Sequence, residues 1–258
     1  MRVLMVGDVV GRPGRTAVAH ILPALREELA VDHVVLNGEN AAAGRGLTEK
    51  TARELFKAGV DVITSGNHIY DVREFVPALD GDLPILRPAN YPPAAAGHGV
   101  TTTGDLTVIN LMGRVFMPVA VDDPFRAIDA LLDGFGDDAV VVIDFHAEAS
   151  SEKQALAWYV DGRVAAVVGT HTHVPTADAR VLPAGTAMVT DLGMVGVVDS
   201  IIGDDVSSVV DRFVTSMPTR LPVADGEELL FNSVLIEIDE QTGRATSIKR
   251  VDRRTLVQ

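Results

Sequence analysis

Eight polar side chains of the kinds that bind metal ions or transfer protons are spread over more than half of this sequence. They are Asp8, Glu39, Asn40, Asn67, His68, His146, His171 and His173. The chain contains no cysteine, so a metal site has to be built from imidazole nitrogen and from carboxylate or amide oxygen. Taken singly, each of these eight residues has an ordinary structural explanation. Asp8 or Asn67 could stabilise a turn, and a lone histidine is more often a hydrogen-bonded structural group than a metal ligand.

The segment Gly169-Thr170-His171-Thr172-His173 is the most specific of these patterns. Two imidazoles separated by one residue can reach adjacent positions when the backbone turns at the end of a strand. A carboxylate such as Glu39 could in addition bridge two cations about 3.5–4 Å apart, the separation that two-metal hydrolases use. These residues therefore indicate a dinuclear metal centre.

Short β-branched apolar runs precede the ligand segments and predict the strands that position them. These strands are expected at 3–6, 33–36, 60–64, 139–145 and 164–168. Apolar spacing and helix caps such as Thr48 and Asp123 predict helices at about 15–29, 48–58, 71–79, 124–133, 152–159 and 205–216. Ligands of α/β sheets bind where the carboxyl ends of the strands converge, so we expect the eight side chains to meet there.

The C-terminal part of the chain has a different pattern. Residues 229–238 and 245–251 flank Glu240-Gln241-Thr242-Gly243, which predicts an antiparallel hairpin and hence a mixed sheet. The proline- and glycine-rich stretch 84–104 is expected to be a loop, either an active-site wall or a long connection. Because no break in composition divides the 258 residues, we predict one domain over 1–258.

Charge and hydropathy narrow the classes of partner. The 36 acidic and 22 basic side chains give a net charge of −14, which argues against binding of duplex nucleic acid or an anionic membrane surface. Bound cations would concentrate positive charge at the site, so a small anionic substrate remains compatible. The N-terminal apolar run is broken at Gly7-Asp8 and no segment reaches membrane-spanning length, so we expect a cytoplasmic protein.

In their order along the chain, these segments resemble the calcineurin-like metallophosphoesterase superfamily, whose motifs run Asp-x-His, Gly-Asp-x-x-Asp, Gly-Asn-His-(Asp/Glu), a separate His, and Gly-His-x-His. Three positions depart from that pattern: Val10 replaces a histidine, Glu39 replaces the bridging aspartate, and Ile69 replaces the acid after Asn-His. The similarity covers nearly the whole chain and is with the bacterial YmdB-like branch of 2′,3′-cyclic nucleotide phosphodiesterases. It lies in Gly7-Asp8, Asn37-Gly38-Glu39-Asn40-Ala41-Ala42, Gly66-Asn67-His68, Asp144-Phe145-His146-Ala147-Glu148-Ala149 and Gly169-Thr170-His171-Thr172-His173.

This resemblance implies an α/β fold, a four-layer α/β/β/α sandwich of two mixed sheets. It also implies a metal-dependent phosphodiesterase in which a metal-bridging hydroxide attacks the cyclic phosphate and His68 is the general acid. Two divalent or trivalent ions are implied, with iron suggested and manganese or zinc compatible. The resemblance assigns Asp8, Asn40 and His173 to one ion, Asn67, His146 and His171 to the other, and Glu39 to both.

Several alternatives stay open on the sequence. The metals could be structural, in a regulatory or scaffold protein with little turnover, or the substrate could be another phosphoester such as a phosphomonoester, a linear diester or an RNA end. A Rossmann oxidoreductase and a P-loop hydrolase are disfavoured because Gly-x-Gly-x-x-Gly and Gly-x-x-x-x-Gly-Lys-(Ser/Thr) do not occur. We expect a small phosphodiester as partner, and a homo-oligomer remains open.

Four further residues have two possible roles each. Arg45 could bind phosphate or be solvated. Three acids could orient imidazoles or cap the backbone: Asp144, Glu148 and Asp191.

Overall fold

The apolar runs of the sequence form strands in the computed structural model, which describes residues 1–136 and 139–257. The five predicted strands are present within two residues of their expected bounds. The strands of the described chain are β1 (Arg2–Val6), β2 (Asp8–Val9), β3 (His33–Asn37), β4 (Val62–Thr64), β5 (Val100–Thr103), β6 (Leu106–Met112), β7 (Val140–His146), β8 (Ala166–Thr170), β9 (Arg180–Val181), β10 (Ala187–Val189), β11 (Met194–Val197), β12 (Glu228–Phe231), β13 (Ser233–Asp239), β14 (Arg244–Arg250) and β15 (Arg253–Leu256).

Two mixed sheets form the centre of the molecule. The first has the strand order β14-β13-β1-β3-β4, with β1, β3 and β4 parallel and β13 antiparallel to both β1 and β14. The second has the order β5-β6-β7-β8-β10-β9, in which β6, β7, β8 and β10 are parallel and the two edge strands are antiparallel to their neighbours. The predicted mixed character of the sheets is confirmed.

Alternation along the strands separates the apolar side chains into layers. Val3 and Met5 of β1 pack with Val142 of β7 in a core between the two sheets, whereas Leu4 faces helices α1 (Gly11–Glu28) and α2 (Glu49–Lys57). On the other side, Ile143 of β7 packs against α3 (Pro124–Leu132) and α4 (Ser150–Tyr159). The order of layers is helix, sheet, sheet, helix, which confirms the predicted four-layer sandwich.

A third, four-stranded sheet was not predicted. Its order is β15-β12-β11-β2, and it packs beneath α1 through Val195 and Phe231. The prediction of one strand over 229–238 is wrong, because the chain passes at Asn232 from β12 of this sheet to β13 of the first. Gly7 makes the same change of sheet between β1 and β2, and its N–H donates to Asn232 O at 3.1 Å. The predicted hairpin itself is present as β13 and β14.

The helices show further differences from expectation. Helix α1 begins at Gly11 rather than near 15, since Pro13 is tolerated in a first turn. The helix predicted at 71–79 is a 3₁₀-helix over Arg73–Asp80, whose Pro77 lacks the N–H that an α-helix would use. The stretch 84–104 was expected to be a loop, but its last residues form strand β5. Strand β6, which follows it, was not predicted. Thr48 and Asp123 accept N-cap hydrogen bonds as predicted, and α5 covers Val206–Thr215.

None of the helices in the described ranges has the length and apolar character needed to cross a bilayer.

Candidate metal centre

The carboxyl ends of the parallel strands of both sheets lie at one edge of the sandwich. Buried hydrogen bonds to Asp144 Oδ2 from Asn37 Nδ2 (3.0 Å) and from Thr64 Oγ1 (2.5 Å) connect the sheets there. The eight predicted residues follow these ends: Asp8 after β1, Glu39 and Asn40 after β3, Asn67 and His68 after β4, His146 as the last residue of β7, and His171 and His173 after β8. The edge therefore brings together side chains that are far apart in sequence.

His146 is fully buried at the centre of this edge. Its Nε2 lies 3.1 Å from Glu39 Oε1, 3.1 Å from Asn67 Oδ1 and 3.0 Å from His171 Nδ1. Its Nδ1 lies 3.0 Å from the hydroxyl of Thr170. Because that hydroxyl donates to Asp144 Oδ1 at 2.6 Å, the network places a hydrogen on Nδ1 of His146 and leaves Nε2 facing three atoms that all carry lone pairs.

Such an arrangement needs a positive charge at Nε2. Burial lowers the pKa of His146, but the carboxylate of Glu39 raises it by more, to about 9. Burial likewise raises the pKa of Glu39, and His146 more than reverses this effect, to about 2. Ligands that share an ion at about 2.1 Å lie about 3 Å apart, so the observed spacing fits a metal. Ligand atoms of Glu39, His146 and His171 lie within 4.8 Å of one another.

A second group of prospective ligands, Asp8, Asn40 and His173, lies beside the first. Asp8 is fully buried, and its Oδ1 has no hydrogen-bond partner among the described residues, the nearest imidazole nitrogens being His173 Nε2 at 3.8 Å and His146 Nδ1 at 4.0 Å. Oδ1 of Asn40 is also buried without a partner in the described ranges. Burial raises the pKa of Asp8 to about 7, against the opposing effect of His173 and His146. Two buried oxygens without hydrogen-bond partners among the described residues fit a second cation.

Glu39 contacts the first group and precedes Asn40 of the second in the sequence. One carboxylate oxygen contacts His146, and the other accepts the backbone N–H of His68 at 3.1 Å. Gly66 precedes Asn67 on the neighbouring loop, and a side chain there would collide with the ring of His146. A glycine at this position is therefore needed for the loop to approach the imidazole.

The predicted turn between the paired histidines is present and is strained. His171 has φ of 101° and His173 has φ of 65°, values that non-glycine residues rarely adopt. Asp191 holds the turn, because its Oδ2 accepts from the N–H of Thr172 at 3.2 Å and from its hydroxyl at 2.8 Å. Lys153, itself buried, pairs with the same carboxylate at 2.7 Å. The turn directs the imidazole of His173 towards Asp8, whose Oδ2 also accepts the backbone N–H of His171 at 3.3 Å.

The remaining nitrogen of each imidazole also has a partner, as ligand histidines usually require. Asp144 reaches His146 through Thr170, Glu148 Oε2 lies 3.2 Å from His171 Nε2, and His173 Nδ1 lies 2.7 Å from the carbonyl of Ile202. Of the three acids left open by the sequence, Asp144 and Glu148 thus orient imidazoles. Asp191 instead holds backbone. Thr170 and Lys153 were missed because a hydroxyl relay and a buried ion pair have no sequence signature.

His68 lies at the edge of a cavity of about 820 Å³ that Glu39, Asn40, His171 and His173 also line. Its side chain is 24% exposed, and its Nδ1 lies 2.8 Å from Asp71 Oδ2. Ile69, at the position where an acid usually follows the Asn-His pair, is instead buried in the core. Asp71, two residues after Ile69, supplies the carboxylate that contacts His68. The spacing of three residues between His68 and Asp71 was the feature of the sequence from which this contact could have been predicted.

Comparisons with known proteins identify the family of the chain. The family model described as YmdB-like protein matches residues 4–251. A 2′,3′-cyclic-nucleotide 2′-phosphodiesterase of Bacillus subtilis is 48% identical over 256 residues, which are 97% of this chain and 96% of that protein.

Solved structures give the same result. A hypothetical protein from Thermus thermophilus superposes with a TM-score of 0.91 at 44% identity, covering 98% of this chain and 99% of that one. A crystal structure titled as a novel phosphatase, from Mycoplasma pneumoniae, gives a TM-score of 0.92 at 31% identity over 98% of this chain and 93% of that one. The family model, the relatives and the order of layers agree, and the chain belongs to the YmdB-like family of metallophosphoesterases.

Proposed function

We propose that this chain is a dinuclear-metal-dependent phosphodiesterase that hydrolyses 2′,3′-cyclic nucleotides. The observation that carries the proposal is the convergence of His146 Nε2, Glu39 Oε1, Asn67 Oδ1 and His171 Nδ1 within 3.1 Å around one nitrogen, beside two unpaired buried oxygens. The kinship with the Bacillus subtilis phosphodiesterase supports the enzyme class, a phosphoric ester hydrolase.

The ligand sets follow the two groups of the site. Asn67, His146 and His171 would hold one ion, Asp8, Asn40 and His173 the other, and Glu39 both. When bound, two such ions supply an activated water molecule and neutralise charge that develops on the phosphoryl oxygens. Mixed nitrogen and oxygen donors suit iron, manganese or zinc. Because Asp8 and Glu39 carry only two negative charges against at least four positive ones, the loaded site attracts an anionic diester.

His68 is the residue that completes the reaction. Water attacks phosphorus, the bond from phosphorus to O2′ breaks, and its electron pair stays on O2′. The Asp71 carboxylate fixes Nδ1 of His68, so Nε2 is the nitrogen that protonates O2′ and leaves a 2′-hydroxyl and a 3′-phosphate. His68 then regains its proton from the attacking water. General acid catalysis of this kind contributes about 10²–10⁴-fold.

The decisive experiment measures hydrolysis of 2′,3′-cyclic AMP together with bound metal in the same samples. We expect metal-loaded wild-type protein to be active, His68→Ala to keep two metals with little turnover, and His171→Ala to lose both metal and turnover. His20→Ala, an exposed histidine of α1, is the matched control and should behave as wild type. A metal-loaded wild type that is inert on this and on generic phosphodiesters would favour the scaffold alternative.

A further inference from the structure

The cavity in front of the metal centre has a cationic outer wall. Arg45, Arg212 and Arg220 line it in addition to the prospective ligands, and we call these three residues the arginine wall. Within residues 1–136 and 139–257, all arginine ion pairs are formed by other arginines. The guanidinium groups of Arg45, Arg212 and Arg220 therefore have no ion-pair partner among these residues. Asp204 lines the wall too, and it is close enough for Arg45 and Arg212 to lower its pKa against the larger raising effect of burial. The wall keeps a net positive charge.

Three unpaired arginines around one cavity are notable in a chain whose net charge is −14. A guanidinium group donates two parallel hydrogen bonds to a phosphate, which makes arginine the usual residue for phosphate recognition. The phosphorus that reacts would lie at the ligand side of the cavity, beside Glu39 and His68. The wall therefore fits a second phosphate on the same substrate.

A second cavity of about 800 Å³ continues from this wall, and Ala43, Arg220 and Leu221 line both cavities. Its lining combines polar side chains with the apolar residues Pro13, Pro222 and Leu229. Arg12 and Arg220 line it together with Asp225 and Glu227, so the formal charges of this lining balance and give no net attraction for a further phosphate. A nucleoside, with an apolar base and an uncharged sugar, matches this surface.

We propose that the preferred substrates are RNA oligonucleotides whose 3′ end carries a 2′,3′-cyclic phosphate. The terminal phosphate occupies the metal side, Arg45, Arg212 and Arg220 bind the phosphate of the adjacent linkage, and the upstream nucleoside enters the second cavity. This inference rests on the proposed phosphodiesterase activity. The acidic surface elsewhere disfavours long or duplex polyanions, so recognition ends within one nucleotide of the reacting end.

A length series tests this inference. Relative to 2′,3′-cyclic AMP, a diadenylate with a 2′,3′-cyclic end should have about 10- to 100-fold higher kcat/KM, the effect of one or two hydrogen bonds to a charged group. The corresponding triadenylate should gain nothing further. A diadenylate with an uncharged methylphosphonate linkage should lose the advantage, and if it keeps it, base contacts rather than the arginine wall explain the preference.

Matched arginine variants supply the control. Arg220→Ala should reduce the ratio of dinucleotide to mononucleotide kcat/KM by about tenfold and make the salt slope of the dinucleotide shallower by about 0.7. Calorimetric binding of the 3′-phosphorylated diadenylate should weaken in the same variant. Arg126→Ala removes the same charge from α3, on the outer face of the second sheet, and should change neither quantity.

The outcomes separate this inference from the proposed function. Equal kcat/KM for mononucleotide and dinucleotide, with a ratio unchanged in Arg220→Ala, would overturn the arginine wall while the phosphodiesterase activity stands. If no cyclic phosphate of any length were hydrolysed, the proposed function would fail. Calorimetric binding of the dinucleotide would then decide the role of the wall, with equal affinity in wild type and Arg220→Ala overturning it.

Discussion

The two halves of the metal centre differ in how completely the protein arranges them. In the inner half, Asn67, His146 and His171 are in contact at 3.0–3.1 Å. In the outer half, Asp8 and His173 remain 3.8 Å apart and Oδ1 of Asn40 has no partner among the described residues. The inner half is therefore held together by contacts within the protein, whereas two oxygens of the outer half are left for a bound cation to satisfy.

The difference follows from where each half is attached. His146 ends a buried strand, and Thr170 and Asp144 fix its ring. His173 instead follows a strained turn, and its second nitrogen contacts only the carbonyl of Ile202 among the described residues. The ring of His146 is therefore held more firmly than that of His173, so we expect the half that contains His146 to bind its metal more tightly.

The largest effect is expected when the residue that joins the halves is changed. Glu39→Gln removes the carboxylate that we propose both groups share, and with it the charge that faces His146. Both metals should be lost and hydrolysis of 2′,3′-cyclic AMP should fall below detection, as measured by metal analysis and turnover. Glu54→Gln, an exposed acid paired with Arg15, is the control. Retention of two metals in Glu39→Gln would mean that the halves are independent.

His68→Ala should leave both halves loaded. The side chain contacts Asp71 rather than either ligand group, so we expect two bound metals and a kcat lower by about 10²–10⁴-fold. Turnover and metal content measured on one preparation check this. Loss of one metal would instead make His68 a ligand and change the definition of the halves.

Lys153→Met should weaken the turn that places His171 and His173. Removing one partner of a buried ion pair costs about 3–5 kcal/mol of unfolding free energy, and we expect the lower end because Asp191 keeps hydrogen bonds from Thr172 and Gly193. Denaturant unfolding measures the loss. Arg163→Met breaks an exposed pair with Asp129 and should cost less than about 1 kcal/mol. Equal losses would show that the buried pair does not stabilise the turn.

Thr170→Val is the substitution with the smallest expected effect, and it tests whether the inner half alone depends on the Thr170 hydroxyl. It removes the hydroxyl between Asp144 and His146, and loss of such a contact lowers metal affinity by about 10–100-fold. Chelator competition should show this weakening for the inner metal alone. Thr170→Ser keeps the hydroxyl and should restore the affinity. If both metals weakened equally, the halves would not be separately anchored.

Much of the centre could be predicted because its ligands follow the strands that position them. Apolar runs located β1, β3, β4, β7 and β8, and parallel strands bring their carboxyl ends to one edge. The convergence of Asp8, Glu39 and His146 was therefore accessible from the sequence. The layer order came from the family resemblance, and the strand alternation of the structure confirms it.

The parts that were missed depend on contacts between distant residues. The division of 229–238 at Asn232 depends on Gly7, which changes sheets beside it, and nothing local in an apolar run marks such a point. Thr170 and Lys153 act through residues more than fifteen positions away. The 3₁₀-helix over Arg73–Asp80 was the exception, because Pro77 was a local signal against an α-helix.

The central claim is that two metal ions are held by two groups of ligands that share Glu39. Anomalous diffraction from crystals of the metal-loaded protein, recorded on both sides of the absorption edge of the bound metal, tests it most directly. The account predicts two peaks about 3.5–4 Å apart, one among Asn67, His146 and His171 and one among Asp8, Asn40 and His173, with the carboxylate of Glu39 between them. A single peak, or a second peak away from Asp8, would contradict it.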